Sequence, residues 1–312
     1  MGVQLKIRPR KIPTLRPQDY RGEAEESAFL QGIVIPTVIF VLPALVFVGL
    51  KKYNLLLGWV GWLVLSFILV ALVIGQQRRR LIRQGLKIKV MPTNFPEIRE
   101  VLQRFVRPLG LKEPEAYVVE EDSLELRTRG LRRPFFMVIP QRLRDLLSET
   151  EFQALLAREI GHVHARHVPL RSLALTLQTG NPILRLLGFP LFLYAFFLRP
   201  WLEAIETTAD RLALLLIRDH KVISAALLKL AVGNDPTSSV EVAEIDEFIS
   251  KGGMEVRAED VDAHYRMGVL RQKHEDLFAR LYDLSTFESS QEARKSLQTI
   301  LEAERLQSPA SG

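Results

Sequence analysis

Two charge-free stretches decide how this chain is organised: SAFLQGIVIPTVIFVLPALVFVGL at residues 27–50 and LLLGWVGWLVLSFILVALVIGQQ at residues 55–77. Each is longer than the roughly 20 residues that cross about 30 Å of hydrocarbon as a helix. Pro36 and Pro43 would break a soluble helix, but a membrane helix tolerates such residues as kinks. The stretches therefore predict a transmembrane hairpin rather than two buried core helices, and the first is too long for a cleaved signal peptide.

Basic residues flank the predicted hairpin and are scarce in its loop. Six lie between residues 78 and 89, after the second stretch, and six between residues 6 and 21, before the first, whereas residues 51–52 supply two. The positive-inside rule then predicts that both termini and the large following domain face the cytoplasm. The chain has no cysteine, which fits a reducing compartment.

Composition excludes several kinds of protein. Without cysteine there is no disulfide framework, no thiolate zinc site and no cysteine nucleophile. The net charge of +6 over 312 residues is too small and too scattered to indicate nucleic-acid binding. We expect the membrane itself as a partner, together with membrane proteins or a larger membrane complex.

The remaining sequence predicts a soluble-type domain of α+β class, mostly helical with a small sheet. Strands are expected at 116–119, 125–129 and 135–139, with a helix at 97–106 before them and helices after them. The predicted division is a cytoplasmic arm at 1–26, the transmembrane hairpin at 27–77, a basic linker at 78–96, the domain at 97–306 and a disordered tail at 307–312.

Two later segments need separate interpretations. From residue 172 to 198 the only charge is Arg185, and Gly and Pro divide the stretch into pieces of about thirteen residues, which seldom span a bilayer. A shallow hairpin in the membrane interface, or apolar packing against the spans, is favoured over two further crossings. Residues 236–268 are acidic and poorly periodic, which is typical of a loop or lid.

A capping box at Ser148–Glu151 predicts a helix that begins there and runs to about His167. It carries Arg158-Glu159-Ile160-Gly161-His162, one residue away from HExxH. In that motif two His side chains on one helical face bind zinc, and the Glu polarises a metal-bound water. Further on, Glu206 and Asp210 lie one turn apart on a predicted helix, an arrangement suited to a third ligand and a carboxylate that orients a His.

In these motifs the chain resembles zinc metallopeptidases of the HtpX-like and CAAX prenyl protease type, which are gluzincins. The stretches that carry the resemblance are 115–119, 137–140, 147–152, 157–167, 209–211 and 225–230, with a weak continuation at His274 and 280–284. The resemblance implies that Glu159 is the general base, that His162 and Glu206 are zinc ligands and that Asp210 orients the first His.

The first ligand of that family is replaced by Arg158. A guanidinium has no lone pair to donate and stays protonated at physiological pH. On a continuous helix His164 would lie about 200° and His167 about 140° from His162, so neither would share its face. His220, His264 or His274 could substitute only if folding brought one of them in. We therefore expect Arg158 to pair with Glu206 or Asp210 and expect no cofactor, with zinc bound only if the site is rescued.

A second departure concerns the edge strand that receives substrate in the family. An Asn-Ala-Phe-like segment is usual there, whereas this chain has Leu124, Glu125 and Leu126. The sequence thus favours a membrane-anchored pseudoprotease that acts by binding proteins. Two alternatives stay open: an active zinc metalloendopeptidase in membrane-protein quality control with a rescued metal site, and a structural subunit of a membrane complex.

Overall fold

The computed structural model describes residues 14–83, 87–179, 182–233, 240, 244, 245, 249 and 273–307. Most of this chain is helical, and a four-stranded sheet lies in its middle, which confirms the predicted α+β class. The predicted loop or lid at 236–268, His264 and the tail beyond residue 307 lie outside the described residues, apart from residues 240, 244, 245 and 249.

The two charge-free stretches form an antiparallel helical pair, α1 (Glu23–Gly49) and α2 (Tyr53–Arg83). Both are long and apolar enough to cross a membrane, and only 17% of the apolar window of each is buried. A core helix of a soluble protein would be mostly covered, whereas these helices expose large aliphatic side chains along their length. Such a continuous apolar surface is stable against lipid and costly against water.

The sheet has the order β1-β2-β4-β3, with β1 and β3 antiparallel to their neighbours and β2 parallel to β4. Its strands are β1 (Lys87–Lys89), β2 (Glu115–Val119), β3 (Arg127–Arg129) and β4 (Phe136–Pro140). Strand β1 lies inside the segment predicted as a basic linker at 78–96 and was not predicted from the sequence. Its Lys-Ile-Lys sequence has too few residues and too little apolar alternation to indicate a strand.

Ten further helices surround the sheet or follow it in the described chain. They are α3 (Pro96–Val106), α4 (Arg142–Leu146), α5 (Glu149–His164), α6 (Val168–Thr179), α7 (Pro182–Leu187), α8 (Phe189–Phe197), α9 (Arg199–Ile217), α10 (His220–Gly233), α11 (Glu275–Ser289) and α12 (Gln291–Gln307).

Helices α5 and α9 lie side by side at the centre of the domain. A Cβ atom added at Gly161 would lie 3.0 Å from the Cα of Ala209, so the absence of a side chain allows the two backbones to approach closely. Apolar side chains such as Ile160, Leu212 and Ala213 complete the contact and are fully buried. This close packing brings the degenerate motif of α5 within reach of the carboxylates on α9.

Candidate functional site

Helix α5 positions the motif, and its start is fixed as the sequence predicts. The Ser148 hydroxyl accepts a hydrogen bond from the Glu151 amide at 3.4 Å, and the Glu151 carboxylate accepts one from the Ser148 amide at 2.8 Å. The capping box is thereby confirmed. Because α5 is regular from this cap onward, Arg158 and His162 lie one turn apart, both turned toward α9.

Arg158 occupies the place between the two carboxylates of α9. Its Nε donates to Asp210 Oδ1 at 2.9 Å, and its Nη2 donates to Glu206 Oε2. The pairing predicted from the sequence is confirmed, and with both acids rather than one. Burial lowers the pKa of the Arg158 guanidinium and the Asp210 carboxylate opposes this, so the side chain remains a cation at neutral pH.

Two more arginines converge on the same carboxylates. Arg171 of α6 lies 3.7 Å from Glu159 Oε1 and 3.4 Å from Glu206 Oε1, and Arg280 of α11 donates to Asp210 Oδ2 at 2.8 Å. Among the described residues, three guanidinium groups thus face three carboxylates. The cluster is balanced in charge without a metal ion, which is the condition under which buried ions are tolerated.

His162 is fully buried beside this cluster. Burial lowers its pKa well below the usual range, and the positive charge of Arg171 lowers it further. The imidazole is therefore neutral, and its Nε2 lies 3.6 Å from Glu206 Oε2, beyond hydrogen-bond distance. That nitrogen has no hydrogen-bond partner in the described structure.

His167 lies beside His162, contrary to the sequence-based expectation. The helical extrapolation was wrong because α5 ends at His164, and Arg166 adopts a left-handed conformation with φ of 64°. The chain turns back there, and His167 donates its amide to the His162 carbonyl at 2.9 Å. The two imidazoles then meet at 3.2 Å through their Nδ1 atoms.

Glu25 at the start of α1 completes this arrangement, and nothing in the sequence indicated it. Its buried carboxylate lies 3.1 Å from His167 Nε2 and accepts a hydrogen bond from the Thr208 hydroxyl at 2.5 Å. In the arrangement in which His167 donates to Glu25 from Nε2 and accepts at Nδ1, His162 donates from Nδ1 and has a lone pair on Nε2. The first apolar helix is thereby fixed to the site by hydrogen bonds.

The Glu25 contacts predict a specific loss of stability. Glu25→Ala should lower the free energy of unfolding by about 1–3 kcal/mol, because His167 and Thr208 would lose a buried acceptor. Thermal unfolding in detergent measures this. Glu26→Ala is the matched control, since Glu26 is exposed on the same helical turn. Equal melting temperatures for the two variants would contradict the assigned contact.

Glu159, the base position of the family, is held by the sheet. Its Oε2 accepts from the Thr128 amide of β3 at 2.7 Å, and the residue is 1% exposed. Two residues on, the Gly130 amide donates to the Ser172 hydroxyl of α6 at 3.0 Å. Alternate amides of an edge strand point away from its partner, so these are the groups that an added strand would need. Both are already occupied.

The predicted substrate-edge residues lie just before this strand rather than in it. Leu124 and Leu126 are buried in the domain core, and exposed Glu125 pairs with Arg127 at 3.4 Å. The sequence placed the strand at 125–129, whereas it begins at Arg127. The substrate-edge role of Leu124, Glu125 and Leu126 came from the resemblance to the family and stays a prediction.

The donor set does not fit a catalytic zinc ion. Such an ion needs three protein ligands, and His162 and Glu206 supply two while Arg158 takes the third position. In the part of the chain that the structure describes, no three His, Asp or Glu side chains are grouped to hold a metal. His220 is bound to Glu288 at 2.6 Å, and His274 precedes α11, with no hydrogen-bond partner for its Nε2 in the described structure.

Comparison with known proteins confirms the family resemblance seen in the sequence. The model of Peptidase family M48 matches residues 92–288, which is more than half of the chain. Plastoglobule-localized metallopeptidase 48, chloroplastic, of Arabidopsis thaliana is 30% identical over 171 residues, or 54% of this chain. The match covers 48% of that protein, so the chain spans about half its length. No solved structure matches significantly. The chain belongs to peptidase family M48.

Proposed function

We propose that this chain is a membrane-anchored pseudoprotease of the M48 family, which retains the peptidase fold, binds no zinc and acts by binding other proteins. The observation that carries the proposal is the position of Arg158 between Glu206 and Asp210. A permanent cation there removes one ligand and engages the carboxylate of another. Zinc-dependent hydrolysis, the usual activity of the family, then has no metal to polarise water.

The occupied edge of β3 supports the same proposal independently of the metal. A peptide that adds to an edge strand needs outward-facing backbone amides. Those of Thr128 and Gly130 are bonded to Glu159 and Ser172. Partner proteins would then be recognised elsewhere on the molecule, among membrane proteins or within a larger membrane complex.

Anchoring follows from α1 and α2, which we propose cross the bilayer with both termini and the domain on the cytoplasmic side. Their exposed apolar surface and the basic residues on either side of the pair support this. Glu25 lies at the entry to the proposed first span and contacts His167, which supports a site close to the membrane surface.

Metal analysis of the purified protein tests the proposal. The full chain in mild detergent is dialysed against a buffer that contains zinc, and its bound zinc is then measured. It should contain fewer than about 0.1 bound zinc ions per chain, since two donors give weak binding. It should also leave casein intact. Stoichiometric zinc that is lost in His162→Ala, together with chelator-sensitive cleavage, would overturn the proposal.

One observation favours a second candidate, an active metalloendopeptidase of membrane-protein quality control. His162 Nε2 has no hydrogen-bond partner and lies 3.6 Å from Glu206 Oε2, as two ligands of one ion would. A third donor recruited from a partner or from outside the described residues would complete the site. The zinc measurement above separates the two candidates, and co-purification in mild detergent tests for a stable complex in which the chain is a structural subunit.

A further inference from the structure

We propose that α6, α7 and α8 form a re-entrant hairpin that reaches the middle of the bilayer beside the two spans, with its outer face against lipid hydrocarbon. The inference rests on the proposed crossing of the membrane by α1 and α2. It goes further by assigning a depth to a segment that is itself too short to cross.

Contacts with α2 set the depth of the turn. The Leu187 carbonyl at the end of α7 accepts hydrogen bonds from Trp62 Nε1 at 3.2 Å and Ser66 Oγ at 3.0 Å, and Phe189 stacks on Trp62 with centroids 6.3 Å apart. These α2 residues lie at the centre of the apolar helix Tyr53–Gln76. At about 1.5 Å per residue, Trp62 lies about 14 Å from the Tyr53 end and Ser66 about 15 Å from the Gln76 end.

Contacts with α1 indicate the same depth for Tyr194 and show that α8 leads back toward the surface of the bilayer. Tyr194 of α8 bonds to the Thr37 hydroxyl at 3.0 Å and stacks on Phe40, and both partners are near the middle of α1. At its other end α8 reaches Gly32, where a Cβ atom would lie 2.7 Å from Leu198. Helix α8 therefore runs from mid-depth toward the end of α1 that carries Glu25.

The inward limb is α6. Its buried Ala174 and Leu177 pack against Val70 and Ile74, which lie about one and two turns beyond Ser66 along α2, toward the domain. The limb thus begins near the site, where Ser172 contacts β3, and descends along α2 toward Leu187. Inward limb, turn and outward limb together describe a hairpin that enters and leaves on the same side.

Several polar groups of the hairpin have partners within the protein, as hydrocarbon favours, whereas buried Thr176 Oγ1 and Arg185 Nε have none in the described structure. The helix break after α7 leaves the Leu187 carbonyl without a helical partner, and two side chains of α2 supply donors. Arg185, the only charge between residues 172 and 198, donates from Nη2 to the Gln178 carbonyl at 2.6 Å and lies over the Phe192 ring.

The outer face of the hairpin is apolar and continuous with the exposed faces of the spans. Its exposed large side chains are Ile183, Leu186, Leu187, Phe189 and Phe196, with Leu186 72% exposed. Charge complementarity with a protein partner is absent from this face, whereas an acyl chain matches it along its whole length.

Depth-dependent fluorescence quenching tests the proposal, and the absence of native cysteine makes every introduced cysteine unique. Leu186→Cys in the full chain is labelled with bimane in phosphatidylcholine vesicles and quenched by lipid with a doxyl group midway along the acyl chain, or by aqueous iodide. Leu65→Cys is the reference for a label inside the bilayer, because Leu65 is 63% exposed from the protein at the centre of α2. Tyr282→Cys is the reference for a label in water, because Tyr282 is 61% exposed on α11.

Leu186→Cys should be quenched by the mid-chain doxyl lipid as strongly as Leu65→Cys, with iodide quenching about tenfold weaker than at Tyr282→Cys. Iodide quenching equal to that of Tyr282→Cys would overturn the hairpin while leaving the spans intact. Quenching only by lipid labelled near the headgroup would also overturn it, since the segment would then be interfacial. Iodide access at Leu65→Cys would instead refute the proposed spans themselves.

Discussion

Arg158→His is expected to convert a chain that holds no zinc into one that binds about one zinc per molecule. The substitution releases Glu206 Oε2, and the introduced imidazole lies one helical turn from His162. Together with the lone pair on His162 Nε2 these groups make the three donors that a catalytic zinc ion requires. Asp210 Oδ1, freed from Arg158, can accept the second N–H of the new imidazole and orient it.

Zinc content after dialysis and the zinc dependence of the melting temperature measure this gain. Arg158→Gln is the control, because it removes the cation without supplying an imidazole. Adding His162→Ala to Arg158→His should abolish binding. Failure of Arg158→His to bind zinc would show that Arg171, which also contacts Glu206, keeps the pocket closed.

Zinc binding and hydrolysis should separate in this variant. Casein cleavage is expected to stay absent, because Thr128 and Gly130 still have their amides bonded to Glu159 and Ser172. Cleavage in Arg158→His would mean that the edge of β3 opens for substrate and that the cation alone disables the site. Comparing zinc binding with casein cleavage therefore shows whether Arg158 alone prevents hydrolysis or whether the occupied edge of β3 prevents it as well.

Much of the fold could be predicted because it depends on local patterns. The charge-free stretches predicted α1 and α2, and the capping box predicted the start of α5. The pairing of Arg158 with Glu206 and Asp210 was predictable as well, since a buried guanidinium requires carboxylates and the family pattern places these two opposite it. These inferences need no knowledge of distant packing.

The rest of the site depends on where helices end and on long-range contacts. His167 reaches His162 because Arg166 adopts positive φ, which no sequence pattern at a non-glycine residue predicts. Glu25 lies 142 residues before His167 in the sequence and meets it only after folding. Arg171 looked like an ordinary helix residue, and its role appears only when α6 is packed against α5 and α9.

Removing the Arg158 cation without replacing it should destabilise the protein strongly. Arg158→Met would leave Glu159, Glu206 and Asp210 facing two arginines, so one buried negative charge would be uncompensated. Removing one partner of a buried ion pair lowers the free energy of unfolding by about 3–5 kcal/mol, whereas an exposed pair contributes about 0–1 kcal/mol to it. Arg158 is 14% exposed and Asp210 1% exposed, which places this cluster in the buried class.

Thermal unfolding in detergent should therefore show a melting temperature lower by roughly 10 °C for Arg158→Met. Arg218→Met is the matched control, because Arg218 pairs with Glu304 while both are about 40% exposed. Its melting temperature should hardly change. Adding Glu206→Gln to Arg158→Met removes the excess negative charge and should recover much of the loss. If the double variant were no more stable than Arg158→Met, lost packing rather than charge balance would explain the effect, and Arg158 would not be an electrostatic replacement for a metal ion.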